Sequence, residues 1–307
     1  MRFKRKNKLA NKLLFIDGLS GSGKSLVSPI LTSLNKCELY LYDHLFEEVL
    51  VLLENKKIEF NAAKILLQTH ADMNLYNIMI GRNVNFRGSD HSSVDYTMNR
   101  KKFLKRLKLR DGEHVIAQIN REKKWLPIIT HYALPYFLNL QKIFNNRKCL
   151  FVSIAREPIH LINSFYKDNW EKKIVSNQKD LTLTYIDSLS KYYPWYFKDT
   201  SKKATFIEKY AEYVLKYFDF QKKFSSRNHH IIYYENFIKN PTKEIIKLNK
   251  KLGNITNITR KLIKSFKLPR SMEKNYSKNL LSKNINNNIK LKKKILKISN
   301  NYLKNIV

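Results

Sequence analysis

Gly18-Leu19-Ser20-Gly21-Ser22-Gly23-Lys24-Ser25, directly behind the apolar run Leu13-Leu14-Phe15-Ile16, is the stretch that decides the fold. It satisfies the spacing G-x-x-x-x-G-K-[ST] in full. Glycines let the backbone curl so that successive N–H groups point into one concavity. The helix that follows adds its positive N-terminal end, and Lys24 adds a full charge. Strand, loop and helix in that order predict a phosphate site, against the plainer alternative of a Gly/Ser-rich turn with no ligand. Which phosphate compound is held, and which bond is broken, must come from elsewhere in the chain.

Length and composition set the frame. With 307 residues, 43% of them hydrophobic, the chain can bury one large core with room for helical insertions. No apolar stretch approaches the ~20 residues needed to span a bilayer as a helix. The basic residues 1–12 precede a short apolar run, as in a secretory leader, but the run ends in Asp17 and the phosphate loop, so a strand is expected there. Cys37 and Cys149 lie far apart, without C-x-x-C spacing. That pattern predicts neither a disulfide framework nor a metal site, and fits a reducing, cytoplasmic setting.

Fifty-nine Lys and Arg against 25 Asp and Glu leave a net charge of +34. A basic surface of this kind attracts polyanions. Lysine, asparagine and isoleucine are enriched together, however, as in residues 283–290, which is what an AT-rich coding sequence produces. No zinc-finger spacing or RNP-like motif accompanies the charge, so a nucleic-acid partner is not expected, whereas an anionic substrate is.

After the loop, residues 26–34 read as the helix it caps, with Pro29 in its early part, and residues 38–42 as a short strand ending at Asp43-His44. Residues 45–80 have helical apolar spacing. Residues 81–99 are polar and aperiodic, either a substrate-facing loop or a disordered one. Helices are expected over 101–109, 112–121, 134–144 and 159–168, and strands over 126–130, 149–155 and 230–234. The aromatic-rich stretch 170–224 reads as helical, with the cluster Tyr192, Tyr193, Trp195, Tyr196 and Phe197 available for core packing or for stacking on a ligand. Asn240-Pro241-Thr242 opens a helix that Gly253 stops, and residues 289–307 form a basic amphipathic helix. Strands alternating with helices predict an α/β fold, a central parallel sheet flanked by helices with ligands at the strands' C-terminal ends. The expected organisation is a basic extension over 1–12, an α/β domain over 13–253 with mainly helical insertions near 45–125 and 170–224, and a basic, mainly helical segment over 254–307 that packs on the same domain.

A second constellation is Ser153-Ile154-Ala155-Arg156-Glu157-Pro158, with Ser164 eight positions beyond the arginine. An arginine ending a buried strand and a serine two turns into the next helix can converge on one anion, the guanidinium by paired charge-assisted bonds and the hydroxyl by fixing orientation. The plainer role for Arg156 is an ion pair with Glu157 or another acid. This segment resembles the 3′-phosphate motif of the P-loop sulfotransferase family, in which an arginine and a serine at that spacing grip the 3′-phosphate of PAPS (3′-phosphoadenosine 5′-phosphosulfate). Tyr234-Glu235-Asn236-Phe237, followed by Asn240-Pro241 and by Leu252-Gly253, resembles the family's late strand-to-helix segment. Ile128-Ile129-Thr130-His131-Tyr132-Ala133-Leu134-Pro135 is similar to its K-T-H-L-P segment, with Ile129 in place of the lysine and the leucine-proline pair displaced by two residues.

The resemblance implies a P-loop three-layer fold and transfer of a sulfuryl group from PAPS to a hydroxyl or amine, leaving PAP. It assigns Gly18, Ser20, Gly21, Ser22, Gly23, Lys24 and Ser25 to the 5′-phosphosulfate, Arg156 and Ser164 to the 3′-phosphate, and His131 to the general base. Asp43, which follows the second strand, and Glu47, one helical turn on, are alternative bases read from their own positions. Lys24 would also stabilise the charge that develops on the leaving oxygen. No metal is expected. The acceptor, whether carbohydrate, lipid or small alcohol, and the oligomeric state are not readable. The loop ends in Gly23-Lys24-Ser25, as in nucleotide kinases, where the family usually has G-T-T. This keeps open a kinase using ATP with Mg²⁺, with Asp43 as base or metal partner, although no acid ends the strand 149–155. A non-catalytic nucleotide- or polyanion-binding module is the third reading. His91 and the pair His229-His230 read as surface or strand-end residues.

Overall fold

Every residue of the run Leu13–Ile16 is at most 1% exposed, although side chains along a strand alternate between faces. Both faces of the strand are therefore covered, as expected for a parallel sheet. In the computed structural model, which describes residues 4–97, 100–110, 112–176, 182–188, 191–224, 228–257, 263, 285 and 288–306, this run lies in β1 (Lys12–Asp17) at the centre of a five-stranded sheet.

The elements follow in order. The loop leads into α1 (Lys24–Thr32), then β2 (Leu41–Tyr42), α2 (His44–Glu54) and α3 (Phe60–Met79). Next come α4 (Arg100–Arg106), α5 (Glu113–Glu122), β3 (Trp125–Ile129), α6 (Phe137–Ile143), β4 (Lys148–Ala155), α7 (Pro158–Lys167) and α8 (Trp170–Ser176). After β5 (Thr184–Ile186) and β6 (Tyr192–Pro194) come α9 (Phe206–Lys223), β7 (His229–Tyr233), α10 (Tyr234–Lys239), α11 (Pro241–Leu252) and α12 (Ile289–Lys304). The sheet order is β2-β3-β1-β4-β7 with every pairing parallel, and β5-β6 form a separate antiparallel pair.

The two layers are visible in β1 itself. Leu13 and Phe15 face the larger core, where the Phe15 ring packs edge-on to Phe46 at 5.7 Å and stacks on Phe151 at 6.2 Å. Leu14 and Ile16 face a second core built from α1, α11 and the far faces of β3, β4 and β7, with Val27, Trp125, Val152 and Leu248. Removing a buried aromatic such as Phe15 costs about 3–5 kcal/mol in comparable cores. Caps set the helix boundaries: Asn240 accepts from the Lys243 amide at 3.1 Å with Pro241 in the first turn, and Gly253 closes α11 at φ +95°.

Several expectations are corrected. The stretch 170–224 is not all helical. Thr184, Tyr185 and Ile186 pair with Pro194, Tyr193 and Tyr192 in a hairpin, favoured by β-branched and aromatic side chains that stack across the pair. Strand 38–42 shrinks to Leu41–Tyr42 plus a bridge from Cys37 to Trp125, although Glu38 still donates its amide to the Trp125 carbonyl at 2.9 Å. Its carboxylate is fully buried and meets Arg106 at 2.6 Å, Lys102 at 3.0 Å and Lys124 at 3.2 Å. Pro29 lies inside α1, in its second turn. The polar stretch beyond Gly81 is held to the body, with Ser93 capping a short 3-10 turn over Val94–Tyr96 and the Tyr40 hydroxyl donating to the His91 carbonyl. Most of the Lys/Asn-rich segment between 258 and 287 lies outside the described residues. Beyond it, α12 packs on α7 and α9. Its Ser299 and Tyr302 hydroxyls donate to Glu157 and Glu235. Among the described residues no helix is long and apolar enough to cross a membrane.

Candidate active site

Because the five strands run parallel, the residues that leave them emerge at one edge. Gly18 follows β1, Asp43 follows β2, Thr130 and His131 follow β3, Arg156 follows β4, and Tyr234 follows β7. A cavity of about 320 Å³ at this edge is walled by the phosphate loop from Ser20 to Ser25 together with Tyr42, His131, Arg156 and Tyr234. Five separated stretches of sequence thus meet on one space.

The loop has the geometry its glycines predict. Gly23 has φ +101°, and a Cβ there would run into the Tyr234 ring, so only glycine permits this approach. The Ser22 amide donates to the Leu19 carbonyl at 3.0 Å, which tightens the curl. Lys24 is buried and folds its Nζ back onto the carbonyls of Gly18 and, at 3.1 Å, Leu19. Burial lowers its pKa to about 8 against the opposing pull of Asp17 and Glu47. Arg156 lies over the Tyr234 ring at 4.2 Å and donates to the Gly21 carbonyl at 2.8 Å. It makes no pair with Glu157, whose carboxylate instead caps α7 by accepting from the His160 amide at 2.6 Å. Arg156 Nε and Ser22 Oγ are both screened from solvent and have no hydrogen-bond partner. Two orphaned donors flanking a basic loop fit a phosphorylated ligand. Ser164 is adjacent but not in the wall: its hydroxyl is 3.4 Å from where a Cβ on Gly21 would lie, and it donates to Asp168 at 3.1 Å.

His131 and Glu47 come together across 84 positions of sequence. The Glu47 carboxylate accepts from the backbone amide of His131 and, at 3.4 Å, from that of Tyr132. It lies 3.7 Å from His131 Nδ1. Burial raises the Glu47 pKa, partly offset by those amides. Asp43 does not join them. It caps α2 by accepting from the Leu45 amide at 3.2 Å, and its other oxygen is held by His70 at 2.6 Å and Asn74 at 2.7 Å. With both oxygens used in structure, it walls neither this cavity nor the next.

A second cavity, of about 550 Å³, adjoins the first through Ser20, Tyr42 and His131. Glu47 and Glu48 line one side, and Trp170, Leu183, Trp195 and Tyr196 line another. Of the aromatic cluster, Trp195 and Tyr196 face this space while Phe197 is fully buried in the core. Residues 81–97 contribute to neither wall, so of the two readings of that polar stretch the substrate-facing loop finds no support in these cavities.

Two features escape a linear reading. Asp17, at the end of β1, is fully buried and accepts from Thr130 Oγ1 at 2.7 Å, the Ala133 and Leu134 amides at 3.1 and 3.2 Å, and the Tyr217 hydroxyl at 2.8 Å. It thereby clamps the segment that carries His131. The second is a cluster. His44, Glu47 and His131, which the sequence did not single out as a group, each present a donor atom within 4.8 Å of the others. Sequence spacing hides this because helix and strand end contribute separately. His91 and His229 are as expected: His91 walls neither cavity, and buried His229 bonds Ser153 at 2.8 Å and the Phe224 carbonyl at 3.1 Å.

The family model described as "Sulfotransferase domain" matches residues 15–304. No curated protein matches the chain. Among solved structures, the sulfotransferase domain of the Synechococcus olefin synthase is 13% identical, covers 99% of this chain and 98% of its own, and has a TM-score of 0.47. The sulfotransferase domain from the curacin biosynthetic pathway is 13% identical over 84% and 79% of the two chains, with a TM-score of 0.43. The sulfotransferase STF1 from Mycobacterium tuberculosis is 11% identical over 83% of this chain and 70% of its own, with a TM-score of 0.38.

Proposed function

The chain belongs to the sulfotransferase domain family, and from that premise we propose that it transfers the sulfuryl group of PAPS to a hydroxyl or amine of an acceptor, leaving PAP. The observation that carries the reading is the shared cavity: the phosphate loop, Arg156 and His131 wall one space that opens into a second, larger one.

When bound, PAPS supplies an activated sulfuryl group. Ser20, Gly21, Ser22, Gly23, Lys24 and Ser25 cradle the 5′-phosphosulfate, with Gly18 turning the chain into the loop. Arg156 binds the 3′-phosphate, and Ser164 joins it by rotating away from Asp168. Lys24 exchanges its loop carbonyls for the leaving oxygen and stabilises the charge that develops as the sulfur–oxygen bond breaks. His131 takes the acceptor's proton as the new bond to sulfur forms. Its Nδ1 faces Glu47, which favours the proton on that nitrogen and leaves the Nε2 lone pair to act as base. Asp43, tied to His70 and Asn74, is set aside as a base. The acceptor enters through the cavity lined by Trp170, Trp195 and Tyr196. A reducing, cytoplasmic setting accords with Cys37 and Cys149, both free thiols.

Calorimetric titration with PAP, and separately with ATP plus Mg²⁺, tests the assignment. PAP binding without metal, lost in Arg156→Ala and Lys24→Ala, supports it. Preference for Mg-ATP with indifference at Arg156 would overturn it in favour of a kinase.

A further inference from the structure

We propose that His44, Glu47 and His131 form a binding site for a divalent transition-metal cation of the zinc class, and that occupation of this site blocks sulfuryl transfer. The second half rests on His131 serving as the base; the first does not.

His44 and Glu47 stand three residues apart on α2, a spacing that puts both side chains on one face of a helix. His131 reaches the same space from the end of β3, with its ring parallel to that of His44 at 3° and 5.8 Å between centroids. The three donor atoms lie within 4.8 Å of one another, and the Glu47 oxygen is already 3.7 Å from His131 Nδ1. Zinc bonds of about 2.0–2.2 Å in a tetrahedron put donors roughly 3.3 Å apart. Small side-chain rotations of the two half-buried imidazoles therefore close the set. Glu47 needs no reordering, because the amides of His131 and Tyr132 hold its carboxylate in place. Two imidazoles and one carboxylate form a donor set suited to borderline cations rather than to Mg²⁺ or Ca²⁺. All three residues line the larger cavity, so the fourth position opens onto it.

A cation held here takes the imidazole lone pair that proton abstraction needs and stands between the donor cavity and the acceptor cavity. The consequence is reversible inhibition by zinc-class metals, relieved by a chelator.

Cobalt(II) titrated into the full chain without a purification tag reads the site directly, since low-symmetry Co²⁺ has visible d–d absorption. The expected result is a saturable band at one equivalent, displaced by Zn²⁺, with affinity reduced about 10-fold or more in His44→Ala and in Glu47→Gln. A chain without such a band, or with equal affinity in His44→Ala, overturns the site. Calorimetry with PAP on the metal-free variants shows that they are folded and reports separately on the donor assignment. In the second arm, PAP release from PAPS is followed against Zn²⁺ concentration. The half-inhibiting concentration, compared within each protein, should rise by about 10-fold or more in His44→Ala. Undiminished release with Zn²⁺ bound overturns the inhibitory role.

Discussion

The Glu47 carboxylate accepts hydrogen bonds from the backbone amides of both His131 and Tyr132, and so holds in place the peptide from which the His131 ring projects. The bond joins a helix that follows β2 to the end of β3 and sets where the imidazole stands relative to the phosphate loop. Truncation of Glu47 should therefore act on the chemical step. Glu47→Ala is expected to lower the rate of PAP release from PAPS by about 10- to 100-fold while PAP affinity changes less than about threefold, because a small misplacement of a reacting group is costly and the donor contacts lie elsewhere. Single-turnover rates with PAP calorimetry check the split. Equal losses in both would show that Glu47 supports the whole loop rather than the base.

Arg156 stacks on Tyr234 and leaves its Nε without a partner at the cavity. A hydrogen bond to a charged group contributes about 1.5–3 kcal/mol. Arg156→Ala should thus weaken PAP by roughly 10- to 150-fold. Adenosine 5′-phosphosulfate, which lacks the 3′-phosphate, should bind the wild type and the variant almost equally. A similar loss for both ligands would remove Arg156 from the 3′-phosphate.

Lys24 carries its charge below about pH 8 and loses it above, since burial lowers its pKa to that value. An anionic ligand prefers the charged form, so PAP affinity for the free enzyme should fall as pH rises through about 8, with the phosphates of PAP, whose second pKa is about 6, already ionised there. The bound phosphate draws the lysine pKa upward, which makes the fall a property of binding and not of the complex. Lys24→Arg, whose guanidinium stays protonated, should shift the decline to higher pH. A profile unchanged by this substitution would contradict the assignment.

Asp17 has four hydrogen-bond donors directed at it in a fully buried position. Asp17→Ala strands those donors and should cost about 3–5 kcal/mol of stability, in the range seen for broken buried networks. Urea denaturation measures the loss.

Glu38 titrates in the opposite sense to Lys24. Burial alone would raise its pKa, but Arg106, Lys102 and Lys124 hold it down to about 2. Its stabilisation is therefore complete above the ordinary carboxylate value and is lost as pH falls from about 4.5 toward 2. Glu38→Gln should be less stable than wild type at pH 7, and the gap should close toward pH 2. A constant gap across that range would show that the cation cluster is not the source.

Much of the fold was legible in residues whose local chemistry leaves few options. Leu13–Ile16 is continuously apolar and precedes a glycine-rich loop, Asn240-Pro241 can begin a helix, and Gly253 can end one. Boundaries failed where pairing depends on distant residues, as over 38–42, where only Leu41 and Tyr42 find a ladder register on β3. They failed again at Tyr185 and Tyr193, whose pairing across a hairpin has no helical-period signature to deny it. Asp43 and Glu47 look alike in sequence, two acids near the start of one helix. Only packing separates them, because His70 and Asn74 of α3 consume the first and the His131 segment faces the second.

By itself the sequence determined the phosphate loop, the parallel α/β architecture and the family resemblance carried by Arg156, Ser164 and His131. These rest on short-range rules: glycine geometry, side-chain alternation along strands and the spacing of caps. Tertiary structure alone decided which residues share a cavity, that Asp17 clamps the His131 segment, and that His44, Glu47 and His131 converge. Parallel strands deliver their ends to one edge whatever their separation along the chain, so the site is assembled by sheet order and helix packing, which act between residues far apart in sequence.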